Sequence, residues 1–413
     1  MEVADWRLCI GCGACAYACP EGNVKLVNVI HDGIRPRIVA DRCSSCGECL
    51  KACPGYETSH GINRQICDDK ILYQDGCLAE YIAEWGPILE VWEGYAADQD
   101  LRLSGSSGGL VSAITAYCIE KERMSCALHT GADENVPWLN RTVVSHTRTD
   151  LLTRTGSRYS PASPCDRLQE IEFALSPCVF IGKPCDVLGL RKSQALRPGL
   201  DRNVGLAIAF FCAGTPATLG ILELLKNKMI DPERIKEIRY RGIGWPGELT
   251  IKLEGERIPS CKISYLDSWG FLQRFRPYRC YLCPDGTGEF ADIACGDPWY
   301  REIPAGEKGQ SLVLVRTEKG RRILEGVRRK GYAVMERADP EILVRSQGNL
   351  LAKRGSIWGK ILAMKAMRIP TPRLTGFSLF ENWKRIPMKE KLRSTLGTVR
   401  RIVQRKYYLP INR

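Results

Sequence analysis

A chain of 413 residues with 44% hydrophobic content is long enough for two or three domains and a sizeable core. Its longest apolar stretch, Val204 to Cys212, is half the length a membrane-spanning helix needs, so it reads as a buried strand and a transmembrane segment is not expected. The net charge of +13 sits at one end: residues 351–413 hold 16 Lys and Arg against Glu381 and Glu390, leaving 44 basic and 45 acidic residues before them. That asymmetry argues against a nucleic-acid surface spread along the chain and for a basic docking element.

Two cysteine runs open the chain, Cys9-x2-Cys12-x2-Cys15-x3-Cys19-Pro20 and Cys43-x2-Cys46-x2-Cys49-x3-Cys53-Pro54. Three thiolates in one tight turn can hold three corners of an iron–sulfur cubane, and in such paired runs the fourth cysteine crosses to the other cluster. One [4Fe-4S] cluster is therefore assigned to Cys9, Cys12, Cys15 and Cys53, and the other to Cys43, Cys46, Cys49 and Cys19. A disulfide framework needs a secretory signal, which is not legible here, and paired zinc sites rarely show this spacing. The 20 cysteines are accordingly expected in a reducing cytoplasm.

Residues 1–60 are expected to form this ferredoxin domain. Residues 61–87 read as a connector with Cys67 and Cys77 as packed thiols and a helical piece from Leu78 to Trp85. From Val91 alternating strand and helix signals predict an α/β domain over residues 88–345. In it, Ser104-Gly-Ser-Ser-Gly-Gly109 precedes an apolar-periodic run from Leu110 to Ile119. Such a turn can offer free backbone N–H groups and the positive end of a helix dipole to a phosphate, although Ser–Gly clusters are often plain loops.

Gly156-Ser-Arg-Tyr159 joins small residues with a cation and a ring. Cys178-Val-Phe-Ile-Gly-Lys-Pro-Cys185 reads as a strand running into a turn that opens a helix from Asp186 to Lys192, with Cys185 at the helix start, where a thiolate is stabilised. A second strand, Gly205 to Phe211, ends at Cys212, so both cysteines fall just past strand C-termini, where open α/β sheets build their sites. With Cys280-x2-Cys283 they make four thiolates, enough for a third cluster, although Cys185 and Cys212 also fit as small core residues. Ser311 to Arg316 predicts a strand and Gly320 to Arg329 a basic helix. Residues 346–413 form a basic extension, in which Met388, Leu392, Leu396, Val399 and Val403 recur at spacings of four and three among Lys and Arg. That is a basic amphipathic helix, and an acidic partner or the anionic inner face of a membrane would suit it. The expected fold class is thus α+β, a small two-cluster domain followed by a larger mixed α/β domain and a helical tail.

Taken together, the ferredoxin runs, Ser107-Gly-Gly109, Gly156-Ser-Arg-Tyr159, Gly182-Lys-Pro-Cys185, Phe211-Cys212, Cys280-x2-Cys283-x-Asp285, Ala291-Asp-Ile293 and Gly296-Asp297 make the chain resemble the beta subunits of coenzyme F420 hydrogenases and dehydrogenases. The resemblance covers residues 1 to about 345. It implies FAD, a [4Fe-4S] cluster in the flavin domain and a deazaflavin site over the flavin. Carried over by motif, Ser107, Gly108 and Gly109 would hold FAD phosphates, Ser157, Arg158, Tyr159 and Lys183 would line the flavin or deazaflavin pocket, and Cys185, Cys212, Cys280 and Cys283 would bind the inner cluster. Cys295 stands where an aliphatic residue is expected. The implied reaction is hydride exchange between coenzyme F420 and FAD, with single electrons passing through the clusters to or from a redox partner or a larger oxidoreductase complex. The same machinery would suit a ferredoxin-dependent reductase of another conjugated ring, or a non-catalytic electron-relay subunit.

Overall fold

The computed structural model describes residues 2–39, 42–60, 77–304 and 306–411. Its strands are β1 Val24–Val29, β2 Gly33–Ile38, β3 Glu57–Ser59, β4 Glu90–Ala96, β5 Ala127–Ala132, β6 Asn140–Ser145, β7 Cys178–Gly182, β8 Val204–Phe210, β9 Ile235–Arg239, β10 Glu248–Leu253, β11 Cys261–Ser264, β12 Ile293–Gly296, β13 Ser311–Val315, β14 Ala333–Arg337 and β15 Arg373–Thr375. Eight of them form one sheet in the order β14-β4-β13-β12-β8-β7-β5-β6. Its centre, β12-β8-β7-β5, is parallel, and the flanking pairs are antiparallel.

Both faces of this sheet are covered, which is why its central strands read as unbroken apolar runs. The two-residue period of a strand sends Val179, Ile181, Leu206, Ile208, Val313 and Val315 to one face, under the helices Leu110–Glu120 and Glu318–Arg329. Phe180, Ala207, Ala209, Leu312 and Leu314 point the other way, into a core that includes the helix Pro184–Gln194. That second core also holds Cys12, Ala14, Ala18 and Ala52. The ferredoxin segment therefore shares its interior with the sheet and is no bead on a string.

Within that segment the repeat is visible in the backbone. Gly13 (φ 90°) starts the helix Ala14–Ala18 and Gly47 (φ 80°) starts the helix Glu48–Lys51, with the β1–β2 hairpin between the two cysteine runs. At Gly13 an added Cβ would meet the Asp166 backbone nitrogen at 2.7 Å, so only glycine fits that turn. A three-stranded sheet, β11-β10-β9, packs with the helices Thr218–Asn227 and Tyr265–Leu272 as a separate layer beside the main sheet.

The C-terminal part differs from a simple appended tail. The helix Glu341–Gly355 crosses the expected boundary at residue 346, and β15 adds to β3 of the ferredoxin segment in parallel. Phe377 is buried against the ring of His60, and the last helix, Met388–Gln404, packs on Ile357–Ala366. Cys77 is partly buried against the core, and the piece Leu78 to Trp85 forms two short helical turns, whereas residues 61–76 of the connector, with Cys67, lie outside the described residues. Among the described residues no helix is long and apolar enough to cross a membrane.

Candidate functional site

The eight N-terminal cysteines gather in two crossed sets. Burial and the approach of Cys12, Cys9 and Cys53 raise the pKa of Cys15, and burial with Cys9 and Cys12 pushes Cys53 up to about 12. Cys49 is raised by burial and then by Cys19, Cys46 and Cys43. The fourth cysteine of each run thus stands with the first three of the other. Backbone N–H groups of Gly11 and Asn23 donate to the Cys9 and Cys19 sulfurs at 3.4 and 3.3 Å, the kind of bond that tunes a cluster's potential. Among the described residues no group of three His, Cys, Asp or Glu side chains is placed to hold a single metal ion. The sets differ in access: Cys9 and Cys12 are buried, Cys43 and Cys46 exposed.

A third group of four assembles from distant segments. Cys185 lies in the first turn of the helix that follows β7, Cys212 just past β8, Cys280 in the 3-10 turn Tyr278–Leu282, and Cys283 at its end. They line a cavity of about 50 Å³ together with Cys9, Lys183 and Lys353. Burial pushes the Cys212 thiol up to about 11, with Lys353 opposing and Cys280 and Cys283 reinforcing the shift. Burial, then Asp186 and the thiols of Cys283 and Cys212, raise the pKa of Cys185, with Lys183 opposing. Four thiols and two lysines lining one cavity would suit an anionic cluster. The helix from Cys185 then passes over the first N-terminal set, where a Cβ on Gly189 would lie 3.3 Å from the Cys12 sulfur.

Asp285 sits within the same motif but serves its backbone. Its carboxylate accepts the N–H groups of Thr287, Gly288 and Glu289 at 2.7–3.0 Å, fixing the turn after Cys283. Burial and the neighbouring Glu289 raise its pKa to about 6. Asp292 ties β8 to β13 in a like manner, through the Ala207 N–H, Thr317 and Arg191.

A larger cavity, of about 300 Å³, opens at the C-terminal end of the parallel strands. Ser107, Gly109, Ser157, Arg158, Tyr159 and Lys183 line it, as do Cys212 and Gly214 from the edge of the four-cysteine group. The first turn of the helix Leu110–Glu120 faces it, with Gly109 (φ 70°) as its cap. Gly108 does not line it. Its N–H donates to Ser311 Oγ at 2.9 Å, and a Cβ there would meet Gly94 O at 2.8 Å, so the residue lets the loop lie flat on β4 and β13. The Ser107 hydroxyl donates to Gln310 O at 2.6 Å.

The Arg158 guanidinium is likewise spent on structure, donating to Asn140 and to the carbonyls of Pro137, Leu139 and Ile238. Lys183 pairs with Asp186 at 2.6 Å; burial works against its charge, but Asp186 holds its pKa above the ordinary lysine range. Tyr159 packs 4.9 Å from Trp269 and edge-on to Tyr240.

Several residues of this cavity escaped the sequence reading. Arg241, buried, grips both oxygens of Asp297 at 2.8 and 2.6 Å, and Trp245 donates to the same carboxylate at 2.7 Å. The guanidinium lies 4.5 Å from the Tyr265 ring, which stacks on Trp299 at 5.4 Å. Gly296-Asp297 was visible as a motif, but the Arg241-Gly-Ile-Gly-Trp245 turn carried only a glycine signal. His129 also lines the wall, and burial lowers its pKa to about 4, so it is neutral and hydrogen-bonded to Ser145. Cys295 stands on β12 facing this cavity, apart from the four-cysteine group, and burial pushes its pKa to about 12.

Residues 91–170 match the N-terminal part of the coenzyme F420 hydrogenase/dehydrogenase beta subunit, residues 176–341 its C-terminal part, and residues 8–55 a 4Fe-4S dicluster domain. The chain is 25% identical to a coenzyme F420-dependent sulfite reductase of Methanocaldococcus jannaschii over 80% of its own length, and spans 47% of that reductase, about half. It is 23% identical to one of the subunits of the F(420)H(2) dehydrogenase of Methanosarcina mazei, over 85% of this chain and 90% of that one. In fold it is similar to a chain of the F420-reducing [NiFe] hydrogenase complex from Methanosarcina barkeri, with a TM-score of 0.54 at 18% identity, covering 68% of this chain and 96% of that one. The chain belongs to the family of coenzyme F420 hydrogenase/dehydrogenase beta subunits, and carries a 4Fe-4S dicluster domain at its N-terminal end.

Proposed function

We propose that this chain exchanges hydride with coenzyme F420 through FAD held in the larger cavity, and passes single electrons through three [4Fe-4S] clusters to or from a protein partner in a larger oxidoreductase complex. One observation carries the reading: Cys212, Lys183 and Gly214 line both cavities, and Cys9 of the first N-terminal set lines the smaller one. A continuous line therefore runs from the cavity through Cys185, Cys212, Cys280 and Cys283 to the buried N-terminal set, and on to the exposed Cys43 and Cys46. Similar proteins named as a coenzyme F420 hydrogenase, an F420-dependent formate dehydrogenase and an F420-dependent sulfite reductase favour the same coenzyme.

Bound in the cavity, FAD would supply the conversion between two-electron hydride exchange and one-electron transfer. The chain's own part is to bind, orient and exclude water. Free N–H groups at the start of the helix Leu110–Glu120 favour a phosphate there. Tyr159, Tyr265, Trp269 and Trp299 wall the cavity with rings that suit planar heterocycles and keep water from them. Arg241, locked on Asp297, keeps a buried positive charge at that wall. Anoxic purification should give about twelve iron atoms and one FAD per chain, and bleaching of the deazaflavin chromophore on addition of reductant. Clusters without flavin would leave only an electron relay, and flavin without bleaching would move the activity to another ring substrate.

A further inference from the structure

The helix Met388–Gln404 is packed the wrong way round for an ordinary surface helix, which buries its apolar stripe. Here the face against Ile357–Ala366 is made of Ser394, Thr398 and Ile402, each at most 4% exposed. Small residues bring the two helices close: an added Cβ on Gly359 would lie 2.2 Å from Ser394 Oγ. The Ser394 hydroxyl donates to Lys391 O and accepts from the Trp383 indole, and Thr398 donates to Ser394 O, so the polar groups on this face are satisfied within the fold. The apolar stripe is left over. Met388, Leu392, Leu396 and Val403 are 67, 52, 64 and 53% exposed, with Val399 half-buried between them.

At about 100° per residue, these five side chains fall within about 80° of one another, centred about 120° from the buried face. Exposed Lys389, Arg393 and Arg400 form a strip beside them on the solvent side. Glu390, the only acid of the helix, lies about 160° from the centre of the stripe. Just beyond the helix, Arg405, Lys406, Tyr408 and Leu409 are exposed as well.

We propose that this face seats the protein on an anionic phospholipid surface, the stripe entering the boundary between headgroups and acyl chains and the basic strip lying among the headgroups. Charge complementarity selects the occupant. Residues 351–413 carry 16 bases against two acids, and an apolar stripe bordered by cations along one helix is what a helix lying in a bilayer interface presents. An acidic protein would meet the cations but would need an apolar groove of its own to cover the stripe of an exposed helix.

The test is flotation of the full-length, cluster-loaded protein with vesicles of phosphatidylglycerol in phosphatidylcholine and of phosphatidylcholine alone. Wild type should float only with the anionic vesicles. Leu392→Ser/Leu396→Ser and Lys389→Gln/Arg400→Gln should each lower the partition coefficient by about tenfold or more, with cluster absorbance unchanged because none of the four side chains is in the core. The proposal falls if wild type stays unbound, or if the serine variant floats like wild type, which would reduce the effect to bare charge. Capture by an immobilised acidic redox protein in place of vesicles would overturn it in favour of a protein partner. No coenzyme is present in this assay, so its outcome is independent of the flavin chemistry.

Discussion

Cys283 reaches the inner group from the end of a short 3-10 turn whose other cysteine, Cys280, lies within it. Cys283→Ser is therefore expected to lower iron from about twelve to about eight atoms per chain and to leave the two N-terminal cluster signals in the paramagnetic resonance spectrum. Asp297 is the counter-charge for a buried guanidinium. Asp297→Asn leaves Arg241 uncompensated at a cost of roughly 3–5 kcal/mol, to be read as a lowered apparent melting temperature and faster flavin loss on dilution. At this scale the sequence was legible where ligands are neighbours, as in the two cysteine runs, whose spacing is itself the chemistry. It was less so where sequence-distant groups meet in space, as when Arg241, Tyr265 and Trp299 stack, because no local pattern encodes a contact between loops. Arg158 lines the cavity as its motif implied, and its hydrogen bonds to Asn140 and Ile238, which tie β6 to β9, had no signal in the sequence.

Among the elements, the central strands were readable because burial on both faces writes continuous apolar runs, and Cys178–Gly182 and Val204–Phe210 lie within a residue or two of where those runs predict them. The last helix was readable as amphipathic, but which face it buries was not, since Ser394 and Thr398 pack by close approach and not by hydrophobicity. Beneath that helix Lys360 donates to Tyr281 O at 3.0 Å. Burial, and then Lys353, Arg401, Arg276 and Arg393, lower its pKa to about 7. Between about pH 7 and 10.5 the unfolded chain binds this proton and the folded one does not, so stability rises with pH across that window, and the full penalty applies below it. Lys360→Met should raise the apparent melting temperature most at or below pH 7, with the gain shrinking toward pH 10; an unchanged gain across the series would mean that the lysine is charged in place. Removal of everything after Ile369 would be a poor probe of the helix, because it also strips β15 and the buried Phe377 and Asn382 from the core.

For the whole molecule the order of the redox groups decides which losses are partial. Cys46 belongs to the outermost set, so Cys46→Ser should leave deazaflavin-dependent reduction of a small artificial acceptor near wild type while reduction of a protein partner falls at least about tenfold; equal losses would mean that electrons leave from an inner group. The closure of the fold around those groups has a further consequence, which lies in time. β15 meets β3 across a separation of 316 residues, where Thr375 donates to Ser59 at 2.6 Å. A chain made from its N-terminus presents all eight ferredoxin cysteines long before that strand exists. Iron and sulfide are therefore expected to have their most open access to Cys9 and Cys12, buried in the finished fold, before the C-terminal strand pairs with β3. Cys43 and Cys46 remain at the surface of the finished protein. A chelator or a pulse of oxygen should accordingly remove iron in two phases, about four atoms quickly and the rest only as fast as the fold opens. On that expectation the outer cluster is the one renewable in the folded protein, and an inner cluster is rebuilt only after the fold opens.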